Sequence, residues 1–281
     1  MARPRISAIS FLNTVPLMWD FEHTPVGQRF EISYTIPSLC AAALRDGVAD
    51  IGLIPAVTYL TIPDLVVIPD VAIAARGPVR SILLVSKVPV EEIRSVAADT
   101  SSRTSVALCR LLLKKWLRAP GTPEPQFRSM EPQLSNMLKS CDAALLIGDS
   151  ALRVSPADYF VLDLAAEWNR FTGRPFVFAF WAVRKEIASP ELPEVFQRSK
   201  ENGLRPENLD RIASVWAPRV GITEQQVKSY LTRNICFDLT AENLAGLQLF
   251  FDLAAEEGIL PKPLPLRFIE VAPVRTAQSA D

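Results

Sequence analysis

The sequence predicts an α/β protein of two lobes, and three observations carry that reading. Over residues 5–183, short apolar strands alternate with short helices, the pattern of a mostly parallel sheet. Two segments, ADIGLIPAVTYL from Ala49 and CDAALLIGDSAL from Cys141, share one design: a polar step, an apolar strand, a tight turn and a helix. Two longer apolar strands, 79–87 and 176–183, bracket the middle of the chain as a double crossover requires. Lobe 1 is therefore expected to hold residues 1–87 and 181–281 and lobe 2 residues 88–180, with a ligand cleft between them.

Each element has a local cause. Residues 5–9 (RISAI) read as a strand buried on both faces; Ser10, Asn13 and Thr14 follow, and Pro16 sits where a helix can start. Such a turn places its polar residues at the carboxyl edge of a sheet, where open α/β folds bind anions. Residues 30–36 form a second strand, and Pro37 and Ser38 open a helix that Gly47 ends. A strand over 50–54 runs through Pro55 into another helix, and 65–68 and 71–75 are two further short strands. Beyond Gly77 and Pro78, strand 79–87 carries Ser81. After a strand at 96–99, Val106, Cys109, Leu112, Leu113, Trp116 and Leu117 share one helical face, so a helix starts near 102–104. Residues 126–129 and 132–138 give a strand and a helix, 160–164 a strand, and LAAEWNRFTG a helix closed by Gly173. The remainder is helical: 190–202, 205–216, a helix capped by Thr223, and one capped by Thr240 and ended by Gly258. Residues 272–281 read as a disordered tail.

Composition bounds the function. In 281 residues, 49% are hydrophobic and 22% charged, the profile of a soluble globular chain long enough for two lobes. Thirty Lys and Arg against 31 Asp and Glu call for neither nucleic acid nor an anionic membrane. The four cysteines are far apart and lack CxxC spacing, which suggests free thiols in a reducing compartment. His23 is the single histidine, in a polar loop, so a multi-histidine metal site is excluded. The apolar run after Arg5 is broken by Ser7, Ser10, Asn13 and Thr14, unlike a secretory leader, and no window is apolar enough to span a bilayer. A cytoplasmic protein is expected.

The strongest local signal is Ser101, Ser102, Arg103, Thr104 and Ser105 at a helix start. Four hydroxyls and a guanidinium add donors to the free backbone N–H groups, a combination that suits a carboxylate or phosphate. Capping would need only one hydroxyl. Gly148 and Asp149 end a strand, and Asp149 serves either a ligand or the cap of the helix from Ser150. Ser81 could reach the cleft from its strand, although a serine in a strand is usually structural, and Asn13 and Thr14 taken alone read as helix caps. Phe180 and Trp181 suit core packing better than cleft lining. No GxGxxG or GxxxxGK motif is present, which disfavours nucleotide cofactors.

In order and approximate spacing over residues 5–185, ISFLNTVPL, ADIGLIP, SSRTSVALCRLLL, ALLIGDSAL and EWNRFTGRPFVFAFWAVRK resemble the chorismate dehydratase (MqnA) family of menaquinone biosynthesis by the futalosine route. The resemblance implies a fold like the type II periplasmic binding proteins. It also implies a carbon-oxygen lyase that removes water from chorismate to give 3-[(1-carboxyvinyl)oxy]benzoate, with no metal or organic cofactor. Asn13, Ser81 and the SSRTS residues are then active-site positions. On this reading Asn13 and Ser81 are catalytic candidates and Asp149 a competing base, while Ser10, Thr14, Ser101, Ser102, Arg103, Thr104, Ser105 and Gly148 are substrate-binding candidates. Chorismate is the expected small-molecule partner, with no nucleic acid or membrane, and the chain is a monomer or homodimer. Two alternatives stand beside it: a non-catalytic cytoplasmic binding protein for a small carboxylate, and the related MqnD-type 1,4-dihydroxy-6-naphthoate synthase. SFLNT and SRTS fit MqnA better.

Overall fold

A computed structural model describes residues 3–270. The predicted tail at 272–281 lies outside the described residues.

The chain begins β1 (Arg5–Ile9), a 3-10 segment Leu12–Met18, α1 (Trp19–His23), β2 (Glu31–Thr35), α2 (Pro37–Arg45), β3 (Ile51–Pro55), a second 3-10 segment Ala56–Thr61 and β4 (Leu65–Ala75). It then crosses to β5 (Ile82–Ser86), β6 (Ser95–Asp99), α3 (Thr104–Leu112), β7 (Gln126–Met130), α4 (Leu134–Ser140), β8 (Ala143–Ile147), α5 (Asp149–Leu152), β9 (Phe160–Asp163) and α6 (Leu164–Thr172). It returns through β10 (Phe176–Arg184) to α7 (Leu192–Gly203), α8 (Pro206–Val220), α9 (Glu224–Ser229) and α10 (Ala241–Glu256).

The strands form two five-stranded sheets of matching order, β2-β1-β3-β10-β4 and β7-β6-β8-β5-β9. In each, the fourth strand is the crossover strand and pairs antiparallel with both neighbours, so the other four run one way. The two segments that echo each other in sequence become β3 and β8, which hold the same place in their sheets.

The pairing revises three expectations. β5 belongs to the second sheet and β10 wholly to the first, so the lobe limits drawn at 87 and 180 move to the crossovers before Ile82 and Phe176. The strand expected at 79–87 starts only at Ile82, because Arg80 takes a positive φ of 63° and its N–H turns to the Asp163 carboxylate at 2.6 Å. The two strands expected at 65–68 and 71–75 are one, β4: Asp70 at φ 60° makes an irregularity, and pairing with β10 resumes beyond it.

Local causes hold up in the helices. Thr223 and Gln226 make a reciprocal capping box on α9, Thr240 caps α10, and Gly173 closes α6 at φ 66°. β10 is buried along nearly its whole length, as an inner strand covered on both faces must be. Trp181 packs on Phe196 with ring centroids 4.9 Å apart, and Phe180 sits edge-on to Tyr59. Truncating a buried aromatic of this kind to Ala costs about 3–5 kcal/mol. All four cysteines are free; Cys236 is half-exposed and the others are buried. Among the described residues, no helix is long and apolar enough to cross a membrane.

Candidate active site

Where the carboxyl ends of β1 and β3 face those of β6 and β8, a narrow cleft opens between the lobes. It holds about 510 Å³ of space free of protein atoms, part of it open to solvent. Apolar walls come from Ile9, Phe11, Ile73, Val79, Ile147 and Phe178. The polar lining is Asn13 from lobe 1, Ser81 from the crossover, and Ser101, Ser102, Arg103, Thr104 and Ser105 from lobe 2. Among the described residues, Arg103 is the one charged side chain in that lining, and the lining holds no carboxylate.

The SSRTS run does not spend its hydroxyls on the helix. No side chain caps α3, so its first N–H groups stay open toward the cleft. Ser101 is committed elsewhere: its hydroxyl and its N–H both donate to Asp99, at 2.6 and 2.9 Å. Burial raises the Asp99 pKa, and those bonds partly offset the rise. Thr104 Oγ1 accepts a long bond from the Val57 N–H at 3.4 Å, which ties lobe 1 to lobe 2. Ser102 Oγ is buried with no protein partner, and so is Asn13 Oδ1. Buried polar atoms are normally satisfied, so two orphans on facing walls mark where a ligand's polar groups belong.

Gly148 is fixed by geometry. It has φ 60° and ψ −140°, and a Cβ there would meet the Phe11 ring at 2.7 Å. Only glycine fits. Its N–H donates to the Ser81 carbonyl at 2.8 Å. Asp149 neither caps α5 nor faces the cleft. Its carboxylate reaches across the lobes and accepts from the Leu12 N–H at 3.1 Å. Burial pushes its pKa up to about 6, against the pull of that N–H and of Arg153.

Asn13, Ser81, Gly148 and the 101–105 run thus gather around one cavity, while Ser10, Thr14 and Asp149 do not line it. Ser10 is exposed, bonds the Thr35 carbonyl, and with the buried Thr14 lines a separate groove beside Trp19, His23 and α8. The reason is the backbone: from Leu12 to Met18 the chain is a 3-10 helix rather than a loop before Pro16. Asn13 and Thr14 therefore point to different cavities. The apolar walls Phe11, Val79 and Phe178 escaped the sequence reading, although Phe11 lies inside SFLNT. Tyr230, whose phenol donates to Ser81 Oγ at 2.9 Å, carries no sequence signal at all.

Comparison with known proteins bears on this geometry. The sequence profile of a family described as menaquinone biosynthesis matches residues 4–256. A chorismate dehydratase of Thermus thermophilus is 30% identical over 240 residues, 79% of this chain and 85% of that protein. A chorismate dehydratase of Campylobacter jejuni is 31% identical over 135 residues, 47% of this chain and 45% of that one. In three dimensions, a protein of Archaeoglobus fulgidus superposes with TM-score 0.74 at 15% identity, over 92% of this chain and 98% of its own. The periplasmic aliphatic sulphonate binding protein SsuA of Escherichia coli gives 0.62 at 17% identity, over 93% and 94%. These two likenesses establish the fold, that of the periplasmic binding proteins.

Proposed function

The chain belongs to the menaquinone biosynthesis family, and from that premise we propose that it is a chorismate dehydratase, a hydro-lyase that converts chorismate to 3-[(1-carboxyvinyl)oxy]benzoate and water. The observation that carries the reading is the 30% identity to a chorismate dehydratase over 79% of the chain. The cleft supports it chemically. Loss of the C3 proton and the C4 hydroxyl makes the ring aromatic, so the driving force lies in the substrate, and the protein's part is to position it. A slot with apolar walls, an open helix start and few titrating groups suits that part.

In the mechanism, the open N-terminus of α3 with Ser102 and Arg103 holds one carboxylate. Asn13 and Ser81 face it and hydrogen-bond the departing C4 hydroxyl. The C3–H bond breaks as the proton passes to the substrate's own enolpyruvyl carboxylate. Its electron pair becomes the new ring double bond as the C4–O bond breaks, and the departing hydroxide takes the proton from the enolpyruvyl carboxyl group, which releases water and restores the carboxylate. The lining supports a substrate-borne base because, among the described residues, it offers no carboxylate, histidine or lysine. Asp149 is the rival base, but it does not line the cleft, and its Oδ1 accepts from the Leu12 N–H.

The test is to mix the purified protein with chorismate and follow the ultraviolet spectrum and mass. Dehydration appears as an aromatic product lighter by one water. Saturable binding with the mass unchanged would make this a binding protein instead, and turnover of the MqnD substrate alone would make it the neighbouring enzyme.

A further inference from the structure

Tyr230 stands behind the cleft wall, and its phenol is fully buried. A buried phenol needs an acceptor, and a structural one is met by a backbone carbonyl, as Tyr59 meets Leu65 O at 3.4 Å. Tyr230 instead donates at 2.9 Å to Ser81 Oγ, the hydroxyl that lines the cleft. One buried hydroxyl therefore sits directly behind one of the polar groups proposed to meet the leaving group.

The consequence is directional. A serine hydroxyl has one proton and two lone pairs. With the bond from Tyr230 held on a lone pair, the serine's own proton stays available to a partner in the cleft. Burial raises the phenol's pKa well above the usual tyrosine value, so Tyr230 keeps its proton across the working range.

The surrounding backbone holds this arrangement from both lobes. Tyr230 opens a π-helical segment, Tyr230–Asn234, and from its far end Asn234 Nδ2 donates to Pro78 O at 2.9 Å. Such wide turns recur at functional sites. From lobe 2, Asp163 accepts from the Arg80 N–H at 2.6 Å, and the Gly148 N–H donates to Ser81 O at 2.8 Å. Arg80 lies between these grips at φ 63°, a left-handed conformation that costs a non-glycine residue about 1–2 kcal/mol. The strand start is displaced and strained, and the result is a fixed place for Ser81.

We infer that Tyr230 is a positioning residue of the dehydration: its hydrogen bond orients Ser81 so that the serine O–H donates a hydrogen bond to the departing hydroxyl, while the proton that completes the water comes from the substrate's enolpyruvyl carboxyl group. The inference rests on the chorismate reading above.

Steady-state kinetics on chorismate test it with Tyr230→Phe, Ser81→Ala and the double variant. Tyr230→Phe is expected to lower kcat about 10–100-fold with KM within about twofold, the pattern of an interaction made in the transition state. Added to Ser81→Ala, it is expected to change kcat by less than about twofold, because the two groups act as one unit. In the Ser81→Ala background the phenol loses its acceptor, so Tyr230→Phe should then raise the melting temperature. An unchanged kcat in Tyr230→Phe, an equal loss in both backgrounds, or a lower melting temperature in the double variant overturns the inference. Wild-type protein that leaves chorismate intact overturns the activity reading and this inference together. An active wild type with an indifferent Tyr230→Phe overturns the inference alone.

Discussion

The two lobes share one strand order, yet they put different chemistry at the cleft. In lobe 1 the turns after β1 and β3 are 3-10 segments, Leu12–Met18 and Ala56–Thr61, largely buried, and they give the cleft one amide, Asn13. In lobe 2 the turn after β6 is a run of hydroxyls and an arginine, and the turn after β8 is a bare glycine. Among the hydrogen bonds between the lobes are Leu12 N–H to Asp149 and Val57 N–H to Thr104. Both run from a lobe 1 backbone amide to a lobe 2 side chain. Shared topology fixes where turns meet, and residue choice divides the labour: on the proposed reading, lobe 2 grips a charge, and lobe 1 with Ser81 assists a departing group.

The largest expected effect lies in lobe 1. If Asn13 acts on the leaving hydroxyl, Asn13→Ala should lower kcat about 10²–10³-fold, the usual loss when a transition-state donor is removed. Turnover assays with KM measured alongside check this. A rise in KM alone would move Asn13 to the gripping side and break the contrast.

The next effect is structural and falls on the lobe 2 glycine. Gly148→Ala forces a side chain into φ 60°, ψ −140° and against the Phe11 ring at 2.7 Å. A loss of about 2–4 kcal/mol in denaturant unfolding is expected from the strain and the clash together. In lobe 1 the residue that leads into the turn after β3, Pro55, has φ −56° and ψ 133° and makes no such demand.

How much of this was legible follows from the same residues. The β3 and β8 echo was readable because apolar strands and tight turns are local patterns. The double crossover was readable from strand length, but its limits were not, since Arg80 leaves the strand conformation for a carboxylate 83 positions away. β10 hid its cleft residues because a strand buried on both faces has no polar alternation, and because the register shift between Val177 and Ala179 breaks the two-residue rhythm, so that Phe178 lines the cleft while Phe180 packs on Tyr59. Thr14 was misread as a cleft residue because a 3-10 segment turns adjacent side chains to different sides. Tyr230 joins Ser81 over 149 positions, and no spacing rule reaches so far.

A smaller effect sharpens the lobe 2 role. Ser102 Oγ is buried without a partner. Removing it takes away an unsatisfied group, so Ser102→Ala should leave the unliganded protein at least as stable as before. Its loss should appear in KM, up about tenfold, as expected for one hydrogen bond to a charged group, with kcat little changed. A fall in kcat instead would give lobe 2 a share of the chemistry.

The smallest expected effect on turnover belongs to Asp149, and its signature is pH. The folded-state pKa is about 6, raised chiefly by burial, against 3.8 for an unperturbed group. A raised acid pKa means that the folded protein holds the proton more tightly than the unfolded chain does. The stability this group contributes is therefore fully present below pH about 4 and is lost as pH rises to about 6. In Asp149→Asn the side-chain amide keeps an oxygen for the Leu12 N–H and has no charge to bury. The stability difference between that variant and wild type should therefore widen in the variant's favour from about pH 4 to about 6 and then level. Urea midpoints at stepped pH measure it. Turnover of the variant should stay within about threefold of wild type, since a carboxylate spent on a backbone amide across the cleft is not free to take the C3 proton. Abolished turnover in a stable Asp149→Asn protein would make this lobe 2 carboxylate the base and end the substrate-assisted route.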